Sequence, residues 1–424
     1  MKDDSRKINV GDTFISLDGN KEYICEAIMN GASKIVCDNL EIINTNPREY
    51  LANYLDDLYK DKFSNIKLIG ITGTNGKTTS CYLLWQILNK LGYKCGYIGT
   101  IGFYIEDKIK DLDNTTPDML DIYEMISKCI DEGCQYVVME VSSQGLSYGR
   151  IGKLIYDYAV FTNLTSDHLN YHKTMENYAL AKQKLFKQSK CSIVNIDDSY
   201  SDYFITDNSI TYGVNKSDYM IKTDGDIKVN DIVYKTNLIG NYNIYNLVIS
   251  IIILDREYIS YDKKIFECLD YPPGRMNVVE YNDNKIIVDY AHTPDAIKNV
   301  IDTVGKLKHN KLIVIMGCGG NRDASKRSEM GLIASRGSDY VIFTNDNPRT
   351  EDELTIVNDI IHDIDSSNYE IILDREKAIR KGIQTLVKND ILLVLGKGHE
   401  DYQIIGNNKI HFNDMEVILK YIKE

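Results

Sequence analysis

A chain of 424 residues is longer than one ordinary hydrophobic core accommodates, so length alone predicts two or three domains. A formal net charge of −13 weighs against nucleic acid or an anionic membrane as the main partner. The most apolar run, Leu247 to Leu254, is far short of a bilayer span, and MKDDSRK at the start lacks a signal peptide's apolar core, so a cytoplasmic protein is expected.

In chain order, residues 1–64 read as a small mixed α/β unit, with DTFISL as a strand and YICEAIMNGA as a helix stopped by a glycine. A second block runs over 65–271. It opens with IKLIGITGTNGKTTSCYLLWQIL, in which Ile66 to Ile71 suits a buried strand and Thr78 to Leu91 carries apolar residues at helical spacing. The glycines of the intervening loop let backbone N–H groups approach an anion, Lys77 adds a point charge and Thr78 a hydroxyl for magnesium. Gly73, Thr74, Asn75, Gly76, Lys77, Thr78 and Thr79 therefore read as a triphosphate-binding loop. It is out of step with the common form, which has four residues between its first glycine and GKT; here Ile71 holds that place and Gly70 comes one earlier. A plain glycine turn between strand and helix is the alternative. Further strands, YVVMEV (136–141) and YAVFTN (158–163), alternate with helical patterns, as in a parallel sheet covered by helices.

Asn215-Lys216-Ser217-Asp218 spells a guanine-reading tetrapeptide, but it follows the weak strand SITYG and reads better as a turn between strands. Pro272-Pro273 marks a break. Beyond it, over 272–424, KIIVDY, KLIVIMG, DYVIFTN, EIILD and ILLVLG alternate with helices, which predicts a second doubly wound α/β domain. The nine cysteines show no CxxC pair or metal-finger spacing and read as reduced, mostly buried thiols.

Polar clusters stand at the strand ends, where open α/β sheets place ligands. Glu140 ends one buried strand, and Asn163, Asp167 and His168 follow the next; they suit a metal site or, equally, helix caps and loop contacts. In the last block GCGGNRDASKR, TNDNPRT and GKGHEDYQ bring Arg322, Arg349 and Glu400 to one edge. Two cations and an anion suit a zwitterionic amino acid, the alternative being scattered surface charge.

Eleven blocks in order, from GITGTNGKTT, TTPD, EVSSQGLSYGR, FTNLTSDHLNYH and YALAK to GNYNIYN, PPGRM, DYAHTPDA, GCGGNRD, DNPR and GKGHEDYQ, resemble the Mur ligases. The resemblance implies three domains: a small N-terminal acceptor domain, a central ATPase-like parallel-sheet domain and a C-terminal Rossmann-like domain. It implies an ATP- and magnesium-dependent ligase that activates a UDP-muramoyl peptide carboxylate as an acyl phosphate and adds an amino acid, releasing ADP and phosphate. Lys77 would stabilise the moving phosphoryl group, with magnesium on Thr78, Glu140 and His168. Lys182 matches a lysine that the family carbamylates to help hold a second magnesium. Asn246 matches an adenine contact, and Arg275 and His292 lie in blocks on the ATP side. Ser5, Thr115, Thr116, Ser142, Tyr148 and Arg150 match acceptor contacts, while Arg322, Asp346, Asn347, Arg349, Gly396 and Glu400 match the amino-acid pocket. DNPR is the form associated with meso-diaminopimelate. A monomer is expected. Five features depart from the family pattern: the first block begins directly at DDSR, ISLDGNKEYICEAI lacks several residues of the UDP loop, Gln144 replaces a usual histidine, Tyr148 stands where a polar contact is common, and the stretch between Asn195 and Asn241 is short. The alternatives are a paralogous ligase with another carboxylate acceptor and a non-catalytic nucleotide-binding protein.

Overall fold

Strands buried on both faces organise the chain, as seen in a computed structural model that describes residues 1–17, 22–37, 47–222, 227–307 and 309–423. The chain folds into two units, Met1–Gly73 with Leu84–Phe161 and Ala179–Thr211, and Thr74–Leu83 with Thr162–Tyr178 and Tyr212–Glu424.

In the first unit, β1 (Thr13–Ile15) pairs in parallel with β2 (Lys34–Val36), and α1 (Glu22–Met29) closes a small core of Ile8, Phe14, Ile24, Ala27, Ile35 and Cys37. The shortened UDP loop lies largely in residues 18–21, outside the described residues. After α2 (Pro47–Tyr59) comes β3 (Lys67–Thr72), which leads through the glycine loop into α3 (Lys77–Lys90). The main sheet adds β4 (Cys95–Gly99), β5 (Gly102–Tyr104), β6 (Lys108–Lys110), β7 (Tyr136–Glu140), β8 (Tyr156–Phe161) and β9 (Ser189–Asn195), in the order β9-β8-β3-β7-β4-β5-β6. Among these seven strands the inner pairs are parallel and the β4-β5-β6 edge is antiparallel. Parallel strands need covered faces. Helices α4 (Met119–Asp131), α5 (Ser143–Ser147), α6 (Leu169–His172) and α7 (Met175–Phe186) complete this stretch of chain.

Past β10 (Ser209–Gly213), the second unit contains an antiparallel ribbon of β11 (Tyr219–Lys222), β12 (Ile227–Val229) and β13 (Ile232–Tyr234). Asn215 to Asp218 lie in the connection between β10 and β11, so the tetrapeptide is a turn between strands, as expected. Helix α8 (Asn241–Arg256) is buried along most of its length. The strands that follow are β14 (Asn277–Tyr281), β15 (Asn284–Asp289), β16 (Leu312–Met316), β17 (Tyr340–Phe343), β18 (Tyr369–Ile371) and β19 (Ile391–Leu395). They form a sheet ordered β14-β15-β19-β16-β17-β18, parallel except for β14. The period-2 pattern divides its two faces. Leu312, Val314 and Met316 meet α9 (Pro294–Val304), α10 (Arg327–Gly337) and α11 (Glu353–Ile361), while Ile313 and Ile315 meet α12 (Arg375–Thr385) and, after the hairpin β20 (Tyr402–Ile405) and β21 (Asn408–His411), α13 (Asp414–Tyr421). The doubly wound C-terminal fold is therefore as expected. Cys37, Cys81, Cys95, Cys129, Cys134 and Cys318 are buried and not in disulfides. Among the described residues no helix is long and apolar enough to cross a membrane.

Gly331 decides how closely α10 approaches α11. A β-carbon there would lie 2.1 Å from the Ile360 carbonyl oxygen. Alanine is favoured over glycine in a helix by about 1 kcal/mol, but overpacking costs roughly 1–3 kcal/mol. Gly331→Ala is accordingly expected to lower the urea midpoint of unfolding, and an unchanged or raised midpoint would refute the close contact.

Candidate active site

The glycine loop is held by the segment after β8. Thr74 N–H donates to the Asn163 carbonyl (2.8 Å), Asn75 N–H to Asn163 Oδ1 (2.9 Å), and Thr162 Oγ1 and Asn163 Nδ2 donate back to the Asn75 carbonyl (2.7 and 3.1 Å). Lys77 Nζ folds back onto the Thr74 carbonyl at 2.9 Å. Such a loop presents amides and one cation at the start of α3, where the helix also favours an anion. Thr78 and Thr79 are buried behind it.

Asn246 braces the loop from beneath. Its Oδ1 accepts from Ser80 Oγ at 3.1 Å, its Nδ2 donates to Asn243 Oδ1 at 3.2 Å, and a β-carbon on Gly76 would sit 2.5 Å from that same Oδ1. Asn75 Nδ2 also donates to Asp295 Oδ2 at 3.1 Å, and Arg275 Nη2 reaches Thr78 Oγ1 at 3.5 Å while its guanidinium lies 4.5 Å from the Tyr290 ring centroid. His292 sits beside Tyr290, ring to ring at 4.7 Å, with Nδ1 at 2.9 Å from the Tyr290 carbonyl.

His168 caps α6 with φ of 54°, its Nε2 3.4 Å from Asp167 Oδ2. Asp167 is buried and accepts from Lys326 Nζ at 3.0 Å. Burial alone would raise its carboxyl, but His168, Lys326 and His292 outweigh it and hold Asp167 well below the usual carboxylate range. Burial, assisted by Lys326, pushes His292 down although Asp167 pulls it up.

A second constellation belongs to the first unit. Glu140, fully buried at the end of β7, accepts from Tyr97 Oη, from Thr100 N–H at 2.8 Å and from Thr100 Oγ1 at 3.1 Å. Thr100 Oγ1 is 3.0 Å from Thr115 Oγ1. Thr116 Oγ1 donates to the Glu140 carbonyl (3.0 Å) and accepts from Ser142 N–H (2.8 Å), while Ser142 Oγ caps α5. Arg150 donates to the Thr116 carbonyl at 2.9 Å and pairs with Asp118. Tyr148 lies between the guanidinium groups of Arg48 and Arg150, at 5.7 and 5.6 Å from its ring centroid, and its carbonyl accepts from Arg48. Lys182 is 1% exposed and donates to the Gly73 carbonyl at 2.8 Å. Such burial of a lysine is rare. Ser5 stands apart: it is buried and donates to Glu26 Oε2 at 2.5 Å.

The C-terminal strand ends gather the third set. Asn347 Nδ2 donates to Glu400 Oε2 at 2.8 Å, and the fully buried Lys397 donates to the same oxygen at 3.0 Å. A β-carbon at Gly396 would lie 2.7 Å from Asp346 Oδ2, and one at Gly319 would lie 3.1 Å from Arg349 Nη1 and 3.5 Å from Arg322 Cγ. Arg349 Nη1 donates to the Gly320 carbonyl at 2.8 Å. Burial, then the neighbouring Asp346, push Glu400 up against the pull of Lys397 and Asn347. Lys326, Lys397 and Asp295 were not singled out from the sequence. Lys326 and Lys397 were readable only as members of GCGGNRDASKR and GKGHEDYQ, and Asp295 as part of DYAHTPDA.

Gly76→Ala is expected to weaken ADP binding at least tenfold in calorimetry. The loop has φ of 88° at this position, where a β-carbon costs about 1–2 kcal/mol before the contact with Asn246 is counted. Undiminished binding would show that the loop does not need this conformation.

Residues 71–254 match the Mur ligase middle domain and residues 274–398 the Mur ligase glutamate ligase domain. A UDP-N-acetylmuramoyl-L-alanyl-D-glutamate--2,6-diaminopimelate ligase of Clostridium botulinum is 40% identical to this chain, covering 99% of it and 94% of that protein. One of the same name from Fusobacterium nucleatum is also 40% identical, covering 99% and 93%. A solved structure of a UDP-N-acetylmuramoyl-L-alanyl-D-glutamate--2,6-diaminopimelate ligase is 31% identical with a TM-score of 0.68, covering 100% of this chain and 94% of that one. MurF ligase from Thermotoga maritima in complex with ADP, 18% identical with a TM-score of 0.65 and covering 100% and 96%, shares the fold.

Proposed function

The chain belongs to the Mur ligase family, and on that premise we propose that it joins meso-diaminopimelate to UDP-N-acetylmuramoyl-L-alanyl-D-glutamate at the expense of ATP, as a monomer built from domains 1–64, 65–271 and 272–424. The observation that carries the choice of amino acid is the placement of Arg322 and Arg349 beside Gly319, at the end of one strand, with Asp346 beside Gly396 and Glu400 bonded to Asn347 at the ends of neighbouring strands. The side chain of diaminopimelate ends in a carboxylate and an ammonium, and these groups supply a partner for each.

A carboxylate does not condense with an ammonium at neutral pH without activation. ATP, when bound, supplies the phosphoryl group that makes the acceptor an acyl phosphate. Lys77 and the amides from Gly73 to Thr78 bind and orient the phosphates, and Asn246, which also bonds Ser80, serves the adenine side. Magnesium, when bound, would find a hard oxygen at Glu140 in the first unit and, in the second, the Thr78 hydroxyl with His168 as a nitrogen donor. Arg275 and His292 line the nucleotide side. Thr115, Thr116, Ser142, Tyr148 and Arg150 orient the acceptor, and Ser5 supports the N-terminal domain from its interior.

Selectivity tests this reading. Lysine lacks the distal carboxylate and leaves Arg349 short of a partner. Because the guanidinium already donates to the Gly320 carbonyl, the loss falls toward the lower end for a broken charge pair, about 2 kcal/mol or roughly thirtyfold. Phosphate release should therefore favour diaminopimelate over lysine in kcat/KM, should yield ADP, and should lose this preference in Arg349→Ala. A preference for lysine, or AMP as product, would overturn the assignment. The KM for diaminopimelate should also rise on acidification at a pH above the ordinary carboxylate range, since the raised Glu400 loses its charge early.

Lys182 is proposed to react with carbon dioxide, its neutral amine forming a carbamate and releasing one proton. Its burial beside Gly73 supports a special role. Lys182→Ala should be inactive and partly rescued by short carboxylic acids that restore an anion. A fully active alanine variant would return this lysine to a structural role.

A further inference from the structure

Arg375 opens α12, where a cation opposes the positive end of the helix dipole. Its side chain is 0% exposed, as is that of Asp414, the first residue of α13. Nε and Nη2 donate to the two Asp414 oxygens at 2.7 Å each, a bidentate pair. Two further donors go to backbone carbonyls: Nη2 to Leu395 at 2.9 Å and Nη1 to Asn345 at 3.3 Å.

These carbonyls are not arbitrary. Leu395 is the last residue of β19 and directly precedes Gly396, Lys397 and Glu400. Asn345 follows β17 and directly precedes Asp346, Asn347 and Arg349. In the sheet β16 lies between β19 and β17, so the strand ladder does not join the two turns directly. Farther along they meet through Asn347 Nδ2 on Glu400 Oε2, Gln403 Nε2 on the Asp346 carbonyl and Arg349 N–H on the Ile404 carbonyl, while at their roots, beside Asn345 and Leu395, the Arg375 guanidinium spans them. We propose that the Arg375–Asp414 pair is a positioning device that sets the two turns bearing Asp346, Asn347 and Glu400 at the spacing the amino-acid substrate requires; this rests on the reading of those turns as the amino-acid pocket. Stability alone does not account for it, because a fully buried ion pair is commonly no more stabilising than a packed apolar pair. The fork geometry is what serves: four of the guanidinium's coplanar donor bonds reach a carboxylate and two carbonyls together, and an ammonium on a flexible stem does not. The charge of Arg375 also lies close enough to Asp346 and Glu400 to act on both.

The test is steady-state phosphate release by the full chain, varying diaminopimelate or ATP, with Arg375→Lys, Arg375→Gln and Asp414→Asn. Arg375→Lys retains charge but loses the fork and is expected to raise the KM for diaminopimelate about tenfold or more, as a small misplacement of binding groups does. The KM for ATP should stay within about twofold, as uniform loss of folded enzyme would also leave it. Asp414→Asn should move the same constant in the same direction. A merely structural pair would lower the melting temperature and active fraction with both KM values unchanged, and that result overturns the proposal. If the arginine variants do not fold, the Asp414→Asn constants decide by the same criterion. Wild-type enzyme that ligates diaminopimelate while the variants keep its KM sinks this inference alone; wild-type enzyme that ligates no amino acid sinks the functional reading and this inference with it.

Discussion

Parallel strands end with one polarity, and this constraint governs where the polar turns of each cluster can be. A parallel ladder spends the backbone hydrogen bonds of the interior and leaves the turns at the carboxyl ends to find partners of their own. Gly73 follows β3, Ser142 follows β7 and Asn163 follows β8 in the first sheet's sequence of strands. His292, Arg322, Asp346 and Gly396 do the same after β15, β16, β17 and β19. In each sheet by itself the polar cluster is in this sense a set of unfinished backbone bonds taken up by side chains, suited to anions in the first and to a zwitterion in the second.

Buried cations do much of that finishing. Lys182 and Lys397 are almost without solvent exposure, and each donates to a backbone carbonyl of a turn, Gly73 and Tyr402 respectively. Arg327, 1% exposed, binds Glu351 through both terminal nitrogens, at 2.6 and 2.8 Å, and adds Asp359 at 2.9 Å and the Gly319 carbonyl at 3.2 Å. The strength of that pairing is visible in Glu351, whose carboxyl is lowered to about 2 chiefly by its hydrogen bond to Arg327. Buried charges of this kind contribute little net stability but specify one arrangement of the loops around them.

Legibility in the sequence followed the same division. Runs such as KLIVIMG and ILLVLG announced strands because burial on both faces needs continuous apolar residues, and the glycine loop announced its anion through amide geometry. The order β9-β8-β3-β7-β4-β5-β6 was not readable, since apolar runs carry no label for their neighbours. Nor was the burial of Lys182 readable: its helix pattern is ordinary, and the Gly73 carbonyl that receives it lies 109 residues away. The protein partners of two motif residues were not readable either: Asn246 bonds Ser80 and Asn243 through its carboxamide, and Ser5 donates to Glu26. A motif names the residue, while its partners inside the fold are a tertiary property.

The brace beneath the glycine loop also sets a schedule. Ser80 and Asn246 are 166 residues apart, so a growing chain exposes the complete loop sequence long before α8 exists to support it. At translation rates of roughly 5–20 residues per second, the interval is on the order of 10–30 s. Throughout it, the segment from Gly73 to Thr79 has the sequence of a nucleotide site without its floor, so a ribosome-bound intermediate of this length is one in which nucleotide cannot yet act as a folding ligand.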